Sequence, residues 1–288
     1  MNLQQREMRQ EDVEPCGKIC YHAFKQINQA HNFRPDFPSE QAGIEFTQAL
    51  LDSPYVFNVV VENGGKVIGS NHLWEYDAIR AVGPITVDPD SQAKGIGRIL
   101  MQAVLERSEE SVGVRLVQDA FNAASMSLYT SLGFDVREPL VLIEGVITGD
   151  RKSGTEVGVL QNDDIEQCAT LCRNVHGFDR TVELQHVPPF LKSFVARRDG
   201  HVVAYAAAPH FWALNHAVAE TEDDMHQLLL GASALSNSQP ISFLVPTRQS
   251  SLFRWCLQRG MQVIKPMTLM STGKYYEPKG TYLPSVGY

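Results

Sequence analysis

Residues 81–104 read AVGPITVDPDSQAKGIGRILMQAV, and this stretch decides the fold class. An apolar run over 81–87 predicts a strand, and the sequence Asp-Pro-Asp at 88–90 ends it. A glycine-containing loop follows at 92–98, and apolar residues then recur at helical spacing over 99–104. This stretch belongs to a mixed succession of strands and helices along the chain, which predicts an α/β (α+β) fold with helices that flank a mixed central sheet.

The loop QAKGIGR at 92–98 has the layout of a phosphate-binding loop. The first amides of a helix have no partner within the helix, and the helix dipole adds positive potential there. Gly95 and Gly97 carry no Cβ, so the backbone can approach a pyrophosphate closely. Lys94 and Arg98 would add charge-assisted hydrogen bonds. The loop lacks the Gly-Lys-Ser/Thr ending of a P-loop and the first glycine of a GxGxxG fingerprint. The alternative is an ordinary turn that begins a helix.

The spacing Gln92-x-x-Gly95-x-Gly97 resembles the Gln/Arg-x-x-Gly-x-Gly/Ala signature of the GNAT superfamily of acetyl-CoA-dependent N-acetyltransferases. This resemblance covers nearly all of residues 4–145 and, more faintly, residues 155–275. It implies direct attack of an amine on acetyl-CoA in a ternary complex.

The segment VQDAFNAASMSLYTSLGF at 117–134 strengthens the resemblance. Family members end a strand at an Asn, carry a Tyr on the following short helix, and open the next strand with Gly-Phe. Asn122 and Tyr129 stand at these positions, followed by the Gly-Phe pair at 133–134. Asn122 would fix the pantetheine arm or simply cap the helix. Tyr129 would protonate the leaving thiolate, or it is a plain core tyrosine.

The resemblance also implies roles for the strand before the loop, with the Val87 amide as the donor to the oxyanion. The expected cofactor-binding residues are Ile85, Val87, Gln92, Lys94, Gly95, Ile96, Gly97, Arg98 and Asn122. The general base is open among Glu75, Asp77 and Asp119, and we select Glu75, together with Tyr129, as the expected catalytic pair.

Three stretches of the chain occur twice in the same order, which predicts two copies of one fold. The pairs are QEDVEPCGKICYHAF (10–24) with NDDIEQCATLCRNVH (162–176), FNVVVENGGKVIG (57–69) with SFVARRDGHVVA (193–204), and MSLYTSLGF (126–134) with FRWCLQRGM (253–261). The polar segment GDRKSG at 149–154 is the predicted linker. We therefore expect an acetyl-CoA-binding GNAT domain over 1–148 and a degenerate GNAT-like domain over 155–288.

The second copy is called degenerate because its glycine loop is replaced. Aligned by the following helix, the positions of Gly95 and Gly97 become Asp224 and His226, and that of Tyr129 becomes Cys256. Clustered carboxylates would repel a pyrophosphate. We expect this copy to complete the acceptor pocket or to stabilise the first copy.

Composition narrows the partners. The 288 residues include 20% charged residues and carry a net charge of −8, which argues against a nucleic-acid partner. No apolar stretch is long enough to span a membrane, and the N-terminus lacks the apolar core of a signal peptide, so a cytoplasmic location is expected. The five cysteines do not form a disulfide or metal-binding pattern, and no metal is expected.

The expected partner is a small-molecule or peptide amine, and the chain is expected to be a monomer or a homodimer. The stretch HNFRPDFP at 31–38 either lines the acceptor site or only bridges two helices. A non-catalytic acyl-CoA-binding sensor or scaffold is the alternative function. Transfer of a longer acyl chain, or to a hydroxyl, also stays open.

Overall fold

The computed structural model describes residues 2–92, 94–188, 190–237 and 239–287. The chain forms two compact units. Unit 1 consists of Met1–Leu116 and Phe121–Asp135, and unit 2 consists of Val117–Ala120 and Val136–Tyr288.

Unit 1 contains β1 (Leu3–Glu7), α1 (Val13–Ala30), α2 (Glu40–Asp52), β2 (Val56–Asn63), β3 (Lys66–Trp74), β4 (Ile79–Val82), β5 (Thr86–Val87), α3 (Ile96–Arg107), the start of β6 (Gly113–Asp119) and α4 (Ala123–Ser131). Its strands follow the order β1–β2–β3–β4–β6, and β5 pairs with β3. All of these pairs are antiparallel except β4 with β6, which is parallel. Unit 1 is thus a mixed sheet with helices, as the sequence predicted.

The helical spacing of apolar residues explains how α3 packs on this sheet. Leu100, Met101 and Val104 recur at helical spacing and are fully buried. Asn71 of β3 lies under this face, and its side-chain amide donates to the carbonyl oxygen of Leu100 at 3.2 Å. This apolar face fixes α3 on the sheet, and the helix start therefore has a defined position.

β4 and β5 are two parts of one strand that runs along the same edge of β3. Leu73 pairs with Val82 in β4, and Ser70 pairs with Thr86 in β5. Two residues of β3 therefore lie opposite three residues, 83–85, of the other strand. This extra residue is a β-bulge, which interrupts the ladder and bends the strand.

Unit 2 contains β7 (Asp135–Gly145), β8 (Glu156–Val159), α5 (Ile165–His176), α6 (Thr181–Gln185), β9 (Phe194–Arg198), β10 (His201–Ala206), β11 (Ala217–Ala219), α7 (Glu222–Leu235), β12 (Ile241–Pro246), α8 (Ser250–Gln258), β13 (Gln262–Gly273) and β14 (Thr281–Leu283). Its strands β13–β7–β12 are consecutive neighbours in the nine-stranded sheet, and a separate five-stranded sheet has the order β14–β11–β10–β9–β8. The buried faces of α7, β9–β12 and α8 share one apolar core.

The compact units do not coincide with the halves of the sequence repeat. The strand β7, which the repeat assigns to the first copy, lies in unit 2 and pairs with β12 from Leu140 to Gly145. The end of β6 also belongs to unit 2, where the Ala120 N–H donates to the Pro266 carbonyl oxygen. The boundaries 1–148, 149–154 and 155–288 stay a prediction about the repeat.

The five cysteines are buried free thiols, which is what core cysteines would show. Among the described residues, no group of three or more His, Cys, Asp or Glu side chains is placed to hold a metal ion. Within the same residues, no helix has both the length and the apolar composition needed to cross a membrane.

Candidate active site

The start of α3 presents backbone amides without competing side chains. Gly95 precedes the helix with φ of 81° and ψ of 0°, a left-handed conformation that favours glycine. Its carbonyl oxygen accepts from Arg98 and Ile99, at 3.1 and 3.2 Å. The N–H groups of Ile96 and Gly97 lie in the first turn, so no carbonyl oxygen of the helix can accept from them. No acidic residue stands in this turn. This end of the helix can therefore accept an anion.

The first turn of α3 lies directly beside α4. A Cβ added to Gly97 would stand 3.2 Å from Leu128 Cδ2, so glycine at this position permits close packing of the two helices. Arg98 donates from Nη2 to Ser131 Oγ at 2.6 Å and ties the same two helices together. The structure therefore gives Gly97 and Arg98 packing roles beside any role towards phosphate.

The remaining loop residues are exposed. Gln92 ends the short 3-10 turn Pro89–Ser91, and its side chain faces solvent. Lys94 donates from Nζ to the Asp90 carbonyl oxygen at 2.9 Å, so its ammonium group stays close to the loop. Ala93 lies outside the described residues. These two side chains stand in the segment just before the helix start, where a bound phosphate would need them.

The Val87 amide points away from β3. The next residue, Asp88, donates its N–H to the Ile68 carbonyl oxygen at 2.9 Å. N–H groups alternate between the two edges of a strand, so the Val87 N–H is directed to the opposite edge. The Val87 N–H is therefore not used in the pairing with β3, and its role as an oxyanion donor stays a prediction.

The bulge exposes a second amide of the same kind. Gly83 donates its N–H to the His72 carbonyl oxygen at 2.8 Å, and Pro84 has no N–H. Within the described part of the chain, the Ile85 N–H has no hydrogen-bond partner. Ile85 was predicted to bind the cofactor, and its amide is the first one after the bulge that is available for a ligand.

Asn122 and Tyr129 belong to α4. The Asn122 side chain accepts from the Ser125 N–H at 3.1 Å and thereby caps the helix. Tyr129 is 5% exposed, and its ring centroid lies 6.2 Å from that of Phe134. Tyr129 follows Leu128, the residue that contacts the first turn of α3. The structure thus places the predicted acid on the helix that borders the predicted phosphate loop.

Glu75 lies at the other end of α3. Its carboxylate forms an ion pair with Arg107, the last residue of that helix, with Nη2 and Oε2 3.1 Å apart. Arg107 also lies over the Phe57 ring at 5.3 Å. By the rise of an α-helix, Arg107 is about 16 Å from Ile96. The structure therefore does not bring Glu75 to the glycine loop.

The two other base candidates differ in their surroundings. Asp77 follows Glu75 in the β3–β4 connection and is half-buried, and its carbonyl oxygen accepts from Arg80 Nη1 at 3.1 Å. Asp119 is buried in unit 2 and forms an ion pair with Lys265, which is also buried, at 2.7 Å. An ammonium group this close competes for the lone pairs that a base must offer.

Trp74 is not among the residues that the sequence analysis singles out, but the structure places it beside the bulge. The half-buried indole donates from Nε1 to the Gly83 carbonyl oxygen at 2.6 Å. The one available signal was Gly83-Pro84, a pair that interrupts an apolar strand. The pattern does not reveal which side chain would reach that interruption.

The start of α7 is the counterpart of the α3 start in the second copy, and it is closed by its own side chains. Thr221 caps the helix by accepting from the Asp224 N–H, and three carboxylates occupy the first turn. Asp224 is 1% exposed and accepts from Arg198 Nη1 at 2.5 Å. His226 stacks on Trp255 with ring centroids 4.0 Å apart. No amide-lined approach comparable to that of α3 is present in the described part of α7.

Residues 21–134 match the family described as acetyltransferase (GNAT). Residues 21–134 thus form a GNAT domain, and the chain as a whole shares the fold of a tandem GNAT protein, as the sequence predicted.

Three similar proteins illustrate this assignment. The [ribosomal protein bS18]-alanine N-acetyltransferase of Salmonella typhimurium is 43% identical over 53 residues, which are 18% of this chain and 36% of that protein. A solved structure from Pyrococcus horikoshii is 16% identical, with a TM-score of 0.73 over 97% of this chain and 92% of that one. A tandem GNAT protein from the clavulanic acid biosynthesis pathway is 12% identical, with a TM-score of 0.61 over 94% and 98%.

The similarities to solved structures and to curated relatives cover different shares of the proteins compared. The two structural likenesses concern the fold, and they extend over nearly the whole chain. The chain covers only 24% to 36% of the length of the curated relatives that it matches.

Proposed function

We propose that this protein moves an acetyl group from acetyl-CoA to an amine, which attacks directly in a ternary complex. The observation that carries the proposal is the start of α3. There, the amides of Ile96 and Gly97 have no helical acceptor, and the first turn contains no acidic residue. The neighbouring helix α4 supplies Tyr129.

The residues of this site fit coenzyme A. A pyrophosphate needs N–H donors, positive potential and space near the backbone, and the first turn of α3 offers all three. A carboxylate cluster such as that of α7 would repel it. The residues proposed to hold coenzyme A are Ile85, Val87, Gln92, Lys94, Gly95, Ile96, Gly97, Arg98 and Asn122.

Acetyl-CoA supplies a thioester whose carbonyl carbon accepts the amine nitrogen. A C–N bond forms, the C–S bond breaks, and the thiolate takes up one proton. In this proposal, the amides of Ile85 and Val87 donate to the carbonyl oxygen as negative charge develops on it. Tyr129 donates the proton to the sulfur.

The attacking amine must lose a proton, because an alkylammonium with a pKa near 10 has no free lone pair. We propose that either Glu75 or Asp77 accepts this proton, and both residues stand in the β3–β4 connection. Glu75 is 18% exposed and is held by Arg107. Asp119 is not retained, since Lys265 neutralises it.

The acceptor is proposed to be a small molecule or a peptide that carries a primary amine. The segment 31–38 supports a place for it near α4. Phe33 stacks on Phe121 with ring centroids 4.6 Å apart, and His31 lies 4.8 Å from the same ring. Phe121 directly precedes Asn122, so this segment reaches the start of α4. We also propose a cytoplasmic location, and a stabilising or acceptor-binding role for the second copy.

Calorimetry with acetyl-CoA, followed by thiol release with a panel of amines, tests the proposal. The panel contains polyamines, aminoglycosides, amino acids and a peptide with a free N-terminus. We expect binding of acetyl-CoA and turnover with at least one amine. Tight binding without turnover on any amine would favour the alternative, a sensor or scaffold that binds acyl-CoA. No heat with acetyl-CoA would refute both.

A further inference from the structure

Both backbone groups of Gly83 are hydrogen-bonded to β3. Its N–H donates to the His72 carbonyl oxygen at 2.8 Å, and its carbonyl oxygen accepts from Trp74 Nε1 at 2.6 Å. Gly83 has a φ of 132°, and a Cβ placed there would meet no atom within 4 Å. Glycine is therefore present for its conformation, and the two hydrogen bonds hold that conformation.

The second of these bonds involves a side chain. A backbone N–H would bond to Gly83 if the ladder continued, but the bulge has shifted the next residues out of register. The indole N–H replaces that donor. An indole nitrogen can only donate, so it satisfies a carbonyl oxygen without competing for the neighbouring amides.

The bond lies two residues before the first available amide. Pro84 has no N–H, and the Ile85 N–H has no partner within the described residues. The direction of the Ile85 N–H therefore depends on how the chain leaves Gly83. The ladder resumes only at Thr86, which pairs with Ser70. Gly83 is thus the last residue before Ile85 whose position β3 fixes.

We propose that Trp74 is a positioning residue for acyl transfer. Through Gly83, it aims the Ile85 amide at the thioester carbonyl oxygen, and it touches neither substrate. This inference rests on the proposed function. It predicts that the indole N–H affects the acyl group of bound acetyl-CoA but not the binding of the coenzyme A portion.

Neighbouring aromatic residues hold the indole and provide a matched control. Tyr76 lies 6.1 Å from the Trp74 ring, and Tyr55 stacks on Tyr76 at 4.9 Å. The Tyr76 hydroxyl is 3.3 Å from Ser53 Oγ. Tyr76→Phe therefore removes a polar atom from the same cluster without touching Gly83.

The experiment compares wild type, Trp74→Phe and Tyr76→Phe. It measures kcat, the affinities for coenzyme A and acetyl-CoA, and the infrared stretch of bound acetyl-CoA labelled with 13C at the thioester carbonyl. Removal of an oxyanion donor lowers kcat by about 100-fold or more, and a displaced donor should lower it by roughly 10-fold. We expect this loss in Trp74→Phe, with the stretch shifted towards its value in free acetyl-CoA. The affinity for coenzyme A should stay within about twofold, and Tyr76→Phe should match wild type.

If Trp74→Phe fails to fold, site-specific replacement of Trp74 by benzothienylalanine keeps the ring size and removes only the N–H. An unchanged stretch and kcat in either variant would overturn the inference while the proposed function stands. The same holds if coenzyme A and acetyl-CoA lose affinity equally with the stretch unchanged. Wild-type protein that binds no acetyl-CoA would refute the proposed function and this inference with it.

Discussion

The starts of α3 and α7 occupy corresponding places in the two copies, but they differ in every feature that matters for an anion. α3 follows a left-handed glycine, and its first turn holds no acidic residue. α7 follows Thr221, whose hydroxyl caps the helix, and its first turn holds three carboxylates. One of these, Asp224, is buried against Arg198.

This contrast shows that a helix start can be stabilised either by a bound ligand or by the side chains of the same chain. The amides at a helix start need acceptors and attract negative charge. In α7 the chain supplies both, with a threonine cap and aspartates. In α3 it supplies neither, and the amides remain available to a ligand.

The largest effect is expected for Tyr129→Phe. Loss of the proposed proton donor should lower kcat by roughly 100-fold, while the affinity for acetyl-CoA stays within about twofold. Steady-state kinetics and calorimetry measure the two quantities. Cys256, the counterpart in the second copy, is fully buried, and burial raises the pKa of its thiol to about 12. Cys256→Ala should leave kcat unchanged. Equal effects of the two variants would contradict the contrast.

Gly95→Ala should weaken acetyl-CoA binding by roughly 10-fold, because a Cβ and a strained backbone disturb the amides that face the pyrophosphate. Gly65 is a matched control. It has a φ of 84°, close to the 81° of Gly95, and neither position has an atom within 4 Å of an added Cβ. Alanine should lower the free energy of unfolding by about 1 kcal/mol at each. Calorimetry that finds weaker binding in both variants, or in neither, would refute a specific role for Gly95.

The two units should also respond differently to acid. Burial lowers the pKa of His72 in unit 1 and of His176 in unit 2 to about 3, and it lowers the pKa of His216 in unit 2 well below its usual value. Arg180 lowers the pKa of both unit 2 histidines further. The unfolded chain takes up protons below a pH of about 6.5, whereas these folded groups do not. Stability is therefore complete above pH 6.5 and falls as the pH decreases.

Each such histidine should reduce the free energy of unfolding by roughly 1 kcal/mol between pH 6.5 and 5.5. Among the described residues, unit 2 holds two of the strongly shifted histidines and unit 1 holds one. Hydrogen exchange at the two pH values should show the larger loss of protection in unit 2. Equal losses in both units would argue against this assignment, and His72→Asn should reduce the pH dependence of unit 1 alone.

The smallest effects are expected for the carboxylates of α7. Asp224→Ala removes the carboxylate that meets Arg198 and Thr221. Arg198 is 42% exposed, so the loss should be only about 1 kcal/mol of unfolding free energy. Acetyl-CoA affinity should not change. Asp223 is half-exposed and pairs with exposed Lys152, so Asp223→Ala should change stability by a few tenths of a kcal/mol at most. Thermal unfolding with and without acetyl-CoA measures these differences, and weaker binding in Asp224→Ala would show that α7 takes part in the cofactor site.

Much of the fold could be predicted from the sequence because periodicity and glycine placement are local properties. Periodicity predicts α3 and an apolar strand before the loop, which the structure divides into β4 and β5. The tandem GNAT fold, which the family resemblance and the sequence repeat imply, is confirmed. The site residues stay predictions, and the structure adds partners that local patterns cannot reveal. Glu75 meets Arg107 across 32 residues, and Asp119 meets Lys265 in another part of unit 2. These pairings depend on strand register, which a single sequence does not encode locally.

The bulge could be predicted only in part from the sequence. Gly83-Pro84 indicates a break in the strand, but the shift by one residue follows only from the pairing of β3 with β4 and β5. The same pairing brings the Trp74 indole to Gly83, nine residues away. An aromatic residue at the end of an apolar strand is usually a packing residue, so the sequence does not predict a hydrogen bond from its polar atom.

The place of β7 has a consequence for the history of the chain. Here β7, which comes from the first repeat, pairs with β12 of the second from Leu140 to Gly145. Deletion of the second repeat would leave this long strand with an open edge, and such an edge invites aggregation. Natural selection can therefore retain the second repeat as a folding partner, even when its own helix start no longer serves a substrate.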